Sequence, residues 1–451
     1  MVRVFIACAM VIALSIFATV SPASAQAGPL SAPLPHVETH ALPEVASPPV
    51  HFDAEKATRA YLARVSGKAR ERSDSYFEGG YWLLLVDTLY AVVVAAILLF
   101  TRLSAWMRNR AQKITRSRFW QVPIYVVQYV IVTTILTLPL SIYEEFIREH
   151  AYGLSNQTFL QWFGDFGIVS AVGLVQMLIV VTLIYALIRA TPKSWWVWAT
   201  VVVVFFIGVQ ITIAPVFLFP LLNHYKPLPD SPIKQQILSL ARANGIPADN
   251  VYEFDASRQS NRISANVSGF LGTTQISMTD NLMKQATPGE IKAVLGHEMG
   301  HYVMNHQVFL LVGFGLLILI GFGLTDWGFR RLAVVFGGVW DVRSIDDPAG
   351  WPAIMAVFTV LGLLGTPLEN TITRTAEHEA DIFGLNASRQ PDGFATAALK
   401  LATYRKLEPG PWEEFIFYDH PSGRTRIHDA MVWKAEHIND CDIKNGPVSP
   451  Q

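Results

Sequence analysis

The sequence predicts a mainly α-helical, polytopic membrane protein with a metal-binding domain assembled at one membrane face. Three observations predict it. The 451 residues are 51% hydrophobic and only 16% charged, whereas soluble domains carry about 25% charged residues; the surplus apolar surface faces lipid. Six apolar stretches approach or exceed the roughly 20 residues a helix needs to cross the hydrocarbon layer. His297, Glu298, Met299, Gly300 and His301 form an HExxH pattern just ahead of the apolar stretch Val308 to Leu324, which sets a metal site at the mouth of a span.

Taken in order, Arg3 precedes an apolar run from Val4 to Val20, and Ala23, Ser24 and Ala25 have the small-x-small form of a secretory cleavage site. Residues 1–25 therefore read as a signal peptide, with an uncleaved anchor as the alternative. A Pro/Ala-rich linker runs to about residue 50, and residues 52–77 read as an amphipathic helix leading into the first span. Spans are expected near residues 81–101, 119–142, 158–188, 195–222, 307–327 and 351–368. This divides the chain into a linker and helix (26–79), a four-span region (80–223), a domain carrying HExxH (224–306), a two-span hairpin (307–368) and a C-terminal part (369–451). Asp87, Asp165, Gln176 and Gln210 fall inside spans; they are costly in lipid and so face the bundle interior or a water-filled cavity. Glycines 313, 315, 321, 323 and 328 allow close helix contact in the fifth span. Cys8 lies in the signal and leaves Cys441 alone, so neither an intrachain disulfide after cleavage nor a cysteine metal site is expected. A net charge of −1 gives no case for nucleic acid.

Loop charge sets the orientation. The loop after the first span holds Arg102, Arg108, Arg110, Lys113, Arg116 and Arg118 with no acid, whereas the next holds Glu144, Glu145, Arg148 and Glu149. Basic short loops stay in the cytoplasm, and Arg189 and Lys193 after the third span agree. This order places residues 224–306 and 369–451 outside the cytoplasm.

The chemistry follows from the spacing. Histidines four apart on a helix lie about 40° from one another and can share one tetrahedral ion, with Glu298 beside the open position as candidate general base. Thr287, Pro288 and Glu290 supply the helix start: a Thr cap, Pro at the first position and Glu three residues on. His306, nine residues beyond His297, falls on the opposite helix face and reads as a polar residue near the membrane interface; position 307, where metzincins place their last histidine, is Gln. The better source of a third ligand is Glu377 and Asp381, again four apart. One carboxylate can bind the metal while the other holds a ligand histidine through its far ring nitrogen; His378 and Glu379 read as a solvated helix face. Two spans separate His301 from Glu377, so both half-sites emerge on one membrane face.

With these residues assembled, the chain resembles the CAAX prenyl protease 1 family, integral-membrane zinc metallopeptidases of the gluzincin kind, and more distantly the HtpX proteases. The resemblance covers roughly residues 80–435: Leu138, Pro139, Leu140 and Ser141 with Tyr143 and Glu144; Pro227, Leu228 and Pro229; Ser264, Ala265 and Asn266 with Gly269; Val294 to His301; Arg374, Glu377, Ala380 and Asp381; and His420, Pro421 and Arg426. It implies a transmembrane helical barrel enclosing a chamber, capped by a zincin-like α+β metalloprotease domain. It implies one zinc ion per chain on His297, His301 and Glu377, with Glu298 as base and Asp381 holding His297. It further implies His420 as stabiliser of the tetrahedral oxyanion, Arg426 near the site, and Asn266, Val267, Ser268 and Gly269 as an edge strand that pairs with extended substrate.

The expected substrate is a peptide or protein, lipid-modified ones included, reached at the bilayer of a bacterial inner membrane. Two departures stand out: a signal-like segment replaces a first span, leaving six mature spans instead of seven, and the charge pattern turns the site away from the cytosol. Two other readings compete. An HtpX-like quality-control protease would share the site and differ in substrate, whereas a transporter or channel would have no use for three ligands and a base.

Overall fold

The structure, a computed structural model, describes residues 52–268, 274–401 and 404–444. The expected signal peptide and Pro/Ala-rich linker lie outside the described residues, as does Gly269. The expected helix over 52–77 is two helices, α1 (Ala54–Leu62) and the first turns of α2 (Gly67–Phe100), separated at Gly67, whose φ of 58° breaks the register. There follow α3 (Leu103–Ile114), α4 (Arg118–Ser141), which continues as a π-helical stretch Ile142–Arg148, and α5 (Phe159–Ala190) and α6 (Trp195–Ile213).

Among the described residues five helices are long and apolar enough to cross a membrane, and the sixth expected span, starting at Trp195, is a shorter apolar helix. Its α-helical part stops at Ile213, two residues before Pro215, which lacks a backbone N–H, and π- and 3₁₀-helical turns carry the chain to Leu221. Apolar stripes at helical spacing point outward: Val93, Ile97 and Phe100 on α2, and later Leu316, Ile320 and Leu324, are all exposed. Water would reject such faces, and a bilayer accepts them.

The catalytic-side domain starts with β1 (Tyr225–Pro227), α7 (Pro232–Ala243), β2 (Val251–Phe254), β3 (Ala265–Ser268) and β4 (Gln275–Thr279). The sheet order is β1-β2-β4-β3, with β2 and β4 parallel and the other pairs antiparallel. β3 is thus an edge strand, in register with β4 through Asn266 opposite Ser277. After α8 (Asp280–Gln285) comes α9 (Pro288–Val303), the HExxH helix. Its start is built as the sequence predicts: Thr287 Oγ1 accepts from Glu290 N, and Thr287 N donates to Glu290 Oε2 at 2.7 Å. Ile291, Leu295, Met299 and Tyr302 form one face of α9 and share a core with Val251, Val267, Ile276 and Met278 of the sheet.

α10 (His306–Trp340) and α11 (Trp351–Ser388) form the hairpin, and both outrun the expected spans. α11 is one continuous helix from the membrane to the third-ligand segment, so no boundary falls at residue 368. Then come α12 (Pro391–Leu401), α13 (Pro411–Phe417) and α14 (Gly423–Glu436). The long helices close a ring, α2 to α11, α10, α6, α5 and α4, completed where Tyr90 of α2 donates to the Leu136 carbonyl of α4 at 2.7 Å. Between α2, α11 and the catalytic domain lies a cavity of about 460 Å³ whose lining includes Tyr76, Asp87, Arg148, Glu369 and Asp419. Gln176 and Gln210 face inward and pair at 3.1 Å. At the far end, buried Arg108 bonds Asp347 at 2.6 Å and Asp341 at 2.7 Å, locking the hairpin turn onto α3. Ahead of the ring, α1 is fixed to the catalytic domain by Tyr61 with Asp392 at 2.6 Å and Glu55 with Arg424 at 2.9 Å.

Candidate active site

Helix α9 lies almost in contact with the backbone of α11, and small residues make this possible. A Cβ on Gly384 would stand 2.7 Å from the backbone nitrogen of His297, one on Gly300 3.1 Å from Ala380 Cα, and one on Gly296 3.0 Å from the Gly384 carbonyl. This approach carries Glu377 and Asp381 to the two histidines. His297 Nε2 and His301 Nε2 are 3.2 Å apart; Glu377 Oε2 is 3.2 Å from the first and Glu377 Oε1 3.5 Å from the second.

Those distances test the fit of a metal. Zinc bonds of about 2.0–2.1 Å in a tetrahedron imply ligand-to-ligand edges of roughly 3.3–3.4 Å, and the three contacts, two of them to different oxygens of the Glu377 carboxylate, bracket that value. Glu377 Oε2 is buried and receives no hydrogen bond in the described structure. Such an orphaned oxygen is costly, and a cation at the centre of the triangle removes the cost. These three residues form a group able to hold a metal ion, and a zinc ion fits them.

The other expected residues take distinct places. His297 Nδ1 is 2.7 Å from Asp381 Oδ1, off the line of a well-formed hydrogen bond. Arg426 grips Asp381 with two bonds, Nε to Oδ2 at 2.8 Å and Nη2 to Oδ1 at 2.5 Å, one side chain removed from the triangle. Burial works to lower the pKa of His297, but Asp381 and Glu377 outweigh it and push it up to about 10 in the metal-free protein. Glu298 is pushed upward by burial, opposed by the charges of His297 and His301. His420 Nε2 is 3.1 Å from Glu377 Oε2, and its Nδ1 is 2.8 Å from Asp419 Oδ1. Burial would raise the Asp419 carboxyl, yet the charge and hydrogen bond of His420 hold it well below the usual carboxylate range. Arg374 donates to the carbonyls of Glu414 and Tyr418, at 3.0 and 2.5 Å, and so fixes the segment that presents His420.

Two residues overturn the expectation drawn from helical phase. His306 is 2% exposed; its Nδ1 is 2.9 Å from His301 Nδ1 and its Nε2 3.1 Å from Glu379 Oε2. It is thus packed against His301 and not on the opposite face, and Glu379 is in contact with it and not merely solvated. The helix stops at Val303, and Asn305 takes a left-handed φ of 55°, so the phase counted from His297 does not extend to residue 306. Asn tolerates that conformation better than most residues, which was the one local signal of a break. His378, half exposed and 3.5 Å from Asp429, remains at the surface. Nothing in the sequence marked Asp419 beyond its adjacency to His420.

A helical membrane ring capped by a small mixed sheet, with HExxH meeting a carboxylate from the next long helix, defines a membrane-embedded metallopeptidase. Residues 227–434 match the model of peptidase family M48, and residues 53–224 match that of the CAAX prenyl protease N-terminal region, described as five membrane helices. The chain is 30% identical over 74% of its length to the uncharacterized metalloprotease YhfN of Bacillus subtilis, covering 79% of that protein. It is 29% identical to CAAX prenyl protease 1 of Saccharomyces cerevisiae, over 65% of this chain and 68% of that one. The crystal structure of S. mikatae Ste24p shares its fold, with a TM-score of 0.68 at 21% identity over 84% of this chain and 94% of that one. The chain belongs to peptidase family M48. It is an integral membrane protein and a metalloprotease acting on peptide or protein substrates.

Proposed function

We propose that the protein is a zinc endopeptidase whose single ion is held by His297, His301 and Glu377, with Glu298 as general base. The observation that carries this reading is the convergence of His297, His301 and the Glu377 carboxylate, with contacts of 3.2, 3.2 and 3.5 Å, beside a glutamate that feels the charges of His297, His301, Glu377 and His420. Bound there, zinc would polarise the scissile carbonyl and acidify a water. Glu298 accepts the water proton and passes it to the leaving nitrogen. Its raised pKa suits both halves of that transfer, since a strongly acidic carboxylate would accept the proton poorly. His420, steadied by Asp419, donates from Nε2 toward the oxyanion as it forms. Asp381, held by Arg426, fixes the ring of His297. Substrate lies extended along the free edge of β3, where Asn266 Oδ1 is buried without a hydrogen-bond partner among the described residues and β4 covers only the other edge.

The orientation we infer puts this site outside the cytoplasm of a bacterial inner membrane. In the fold Arg102, Arg108 and Arg118 bind the hairpin end at Val339, Asp341, Asp346 and Asp347, so the topological signal rests on Arg110, Lys113, Arg116, Arg189 and Lys193. Substrates would then be membrane or exported proteins, and cytosolic prenylated C-termini would not reach the site.

Glu298→Gln tests the chemistry: purified variant should keep one zinc per chain and lose about 10²- to 10⁴-fold in peptide cleavage, and full activity would sink the mechanism. Cys441 is free and exposed, so a membrane-impermeant thiol reagent, applied to intact spheroplasts carrying Cys8→Ser, should label it. Labelling only after lysis would reverse the orientation.

A further inference from the structure

His301 has two ring nitrogens with two different neighbours. Nε2 faces the ligand triangle, whereas Nδ1 is 2.9 Å from Nδ1 of His306. The two imidazoles meet edge to face, with centroids 5.0 Å apart and planes at 75°. Beyond them, His306 Nε2 is 3.1 Å from Glu379 Oε2. His306 is buried, while the Glu379 side chain is 49% exposed.

Proton counting leaves one consistent arrangement. A neutral histidine that offers Nε2 to a metal carries its hydrogen on Nδ1. Among the described residues that hydrogen is donated to His306 Nδ1, which must then be the bare nitrogen of its own ring. His306 accordingly carries its hydrogen on Nε2 and donates it to the Glu379 carboxylate. Every nitrogen in the chain has one role, and the negative charge stands at the end farthest from the ligands. We propose that His306 and Glu379 are positioning residues, a relay that holds His301 in its ligating tautomer and ring orientation. This rests on the reading of His297, His301 and Glu377 as the zinc site. The break at Met304 and Asn305 acquires a purpose from it, because an uninterrupted helix would carry His306 to the opposite face.

The test uses full-length protein in detergent or nanodiscs, loaded with Zn²⁺ or Co²⁺. His306→Ala and Glu379→Ala should each weaken zinc retention against a competing chelator by about 10- to 100-fold and change the visible spectrum of the cobalt form. They should lower kcat with little change in KM. Glu379→Gln, which keeps an oxygen to accept from His306, should recover most of the zinc retention lost in Glu379→Ala. A purely structural role would alter thermal stability and leave the cobalt spectrum alone. If His306→Ala does not fold, Glu379→Ala at the half-exposed end decides. Wild-type zinc retention together with an unchanged cobalt spectrum in Glu379→Ala overturns the relay. Glu377→Ala serves as the control: if it retains stoichiometric zinc, the zinc-site reading fails instead.

Discussion

The two histidines of the HExxH motif are supported in opposite ways. Behind His297 stands Asp381, 1% exposed, gripped by Arg426, 8% exposed; the support is a buried ion pair contributed by α11 and α14. Behind His301 stands a second imidazole, ending on the half-exposed Glu379. The first arm is charged and dry throughout, whereas the second is uncharged next to the ligand and carries its charge at the half-exposed end. Burying an ion pair makes each partner depend on the other, because a lone buried charge is expensive. A neutral ring beside the ligand carries no such dependence.

The largest effect should come from the point where both arms converge. Glu377→Ala removes the carboxylate that faces both histidines, and we expect complete loss of stoichiometric zinc, measured by metal analysis, with peptide cleavage falling below detection. Retention of zinc would mean that the arms do not serve a common metal.

Next in size is the buried arm. Arg426→Met leaves Asp381 with His297 as its remaining charged neighbour in a dry site; breaking a buried pair costs about 3–5 kcal/mol in general, and the loss is read as a lower unfolding midpoint in the metal-free protein. Glu379→Gln on the other arm should move that midpoint by less than about 1 kcal/mol, as for other half-exposed charges. Equal losses would erase the contrast. Between these two falls Gly384→Ala, whose new methyl would press on the backbone of His297; overpacking of this kind costs about 1–3 kcal/mol. Because the contact is with His297, zinc retention should fall along with stability.

The same contrast explains what was legible in the sequence. Fold class, the catalytic helix with its Thr287 cap, and the pairing of the Glu377 and Asp381 segment with HExxH could be read from period, spacing and an even number of spans, and the resemblance named Glu377 as the ligand. Each reading from period and spacing depends on regular helix geometry. What escaped depends on its interruption: His306 was assigned to the wrong face because Asn305 ends the helical phase, and the helix starting at Trp195 was read as too long because the apolar run continues through Pro215. Asp419, and the pairing of Arg426, which only the family resemblance had placed near the site, escaped for another reason. They meet His420 and Asp381 only after tertiary packing, and an arginine or aspartate in isolation carries no sign of its partner.

The finest separation of the arms comes from pH. In the metal-free protein the carboxylates of Asp381 and Glu377 raise His297 to about 10 against the pull of burial, so at neutral pH its ring holds a proton that zinc must displace. Zinc affinity should therefore rise with pH, approaching tenfold per unit below that value. The stability of the metal-free protein has the opposite sign. A folded pKa above the unfolded one contributes stability that is complete below about 6.5 and disappears as pH climbs through about 10. The gap in Tm between zinc-loaded and metal-free protein should thus widen from pH 6.5 upward. Asp381→Asn removes the nearer carboxylate and should flatten the slope, whereas Glu379→Gln, which has no contact with His297, should leave it intact. Titrating zinc against a chelator at several pH values measures both variants, and a slope that flattened in Glu379→Gln but not in Asp381→Asn would show the proton to reside on the other arm.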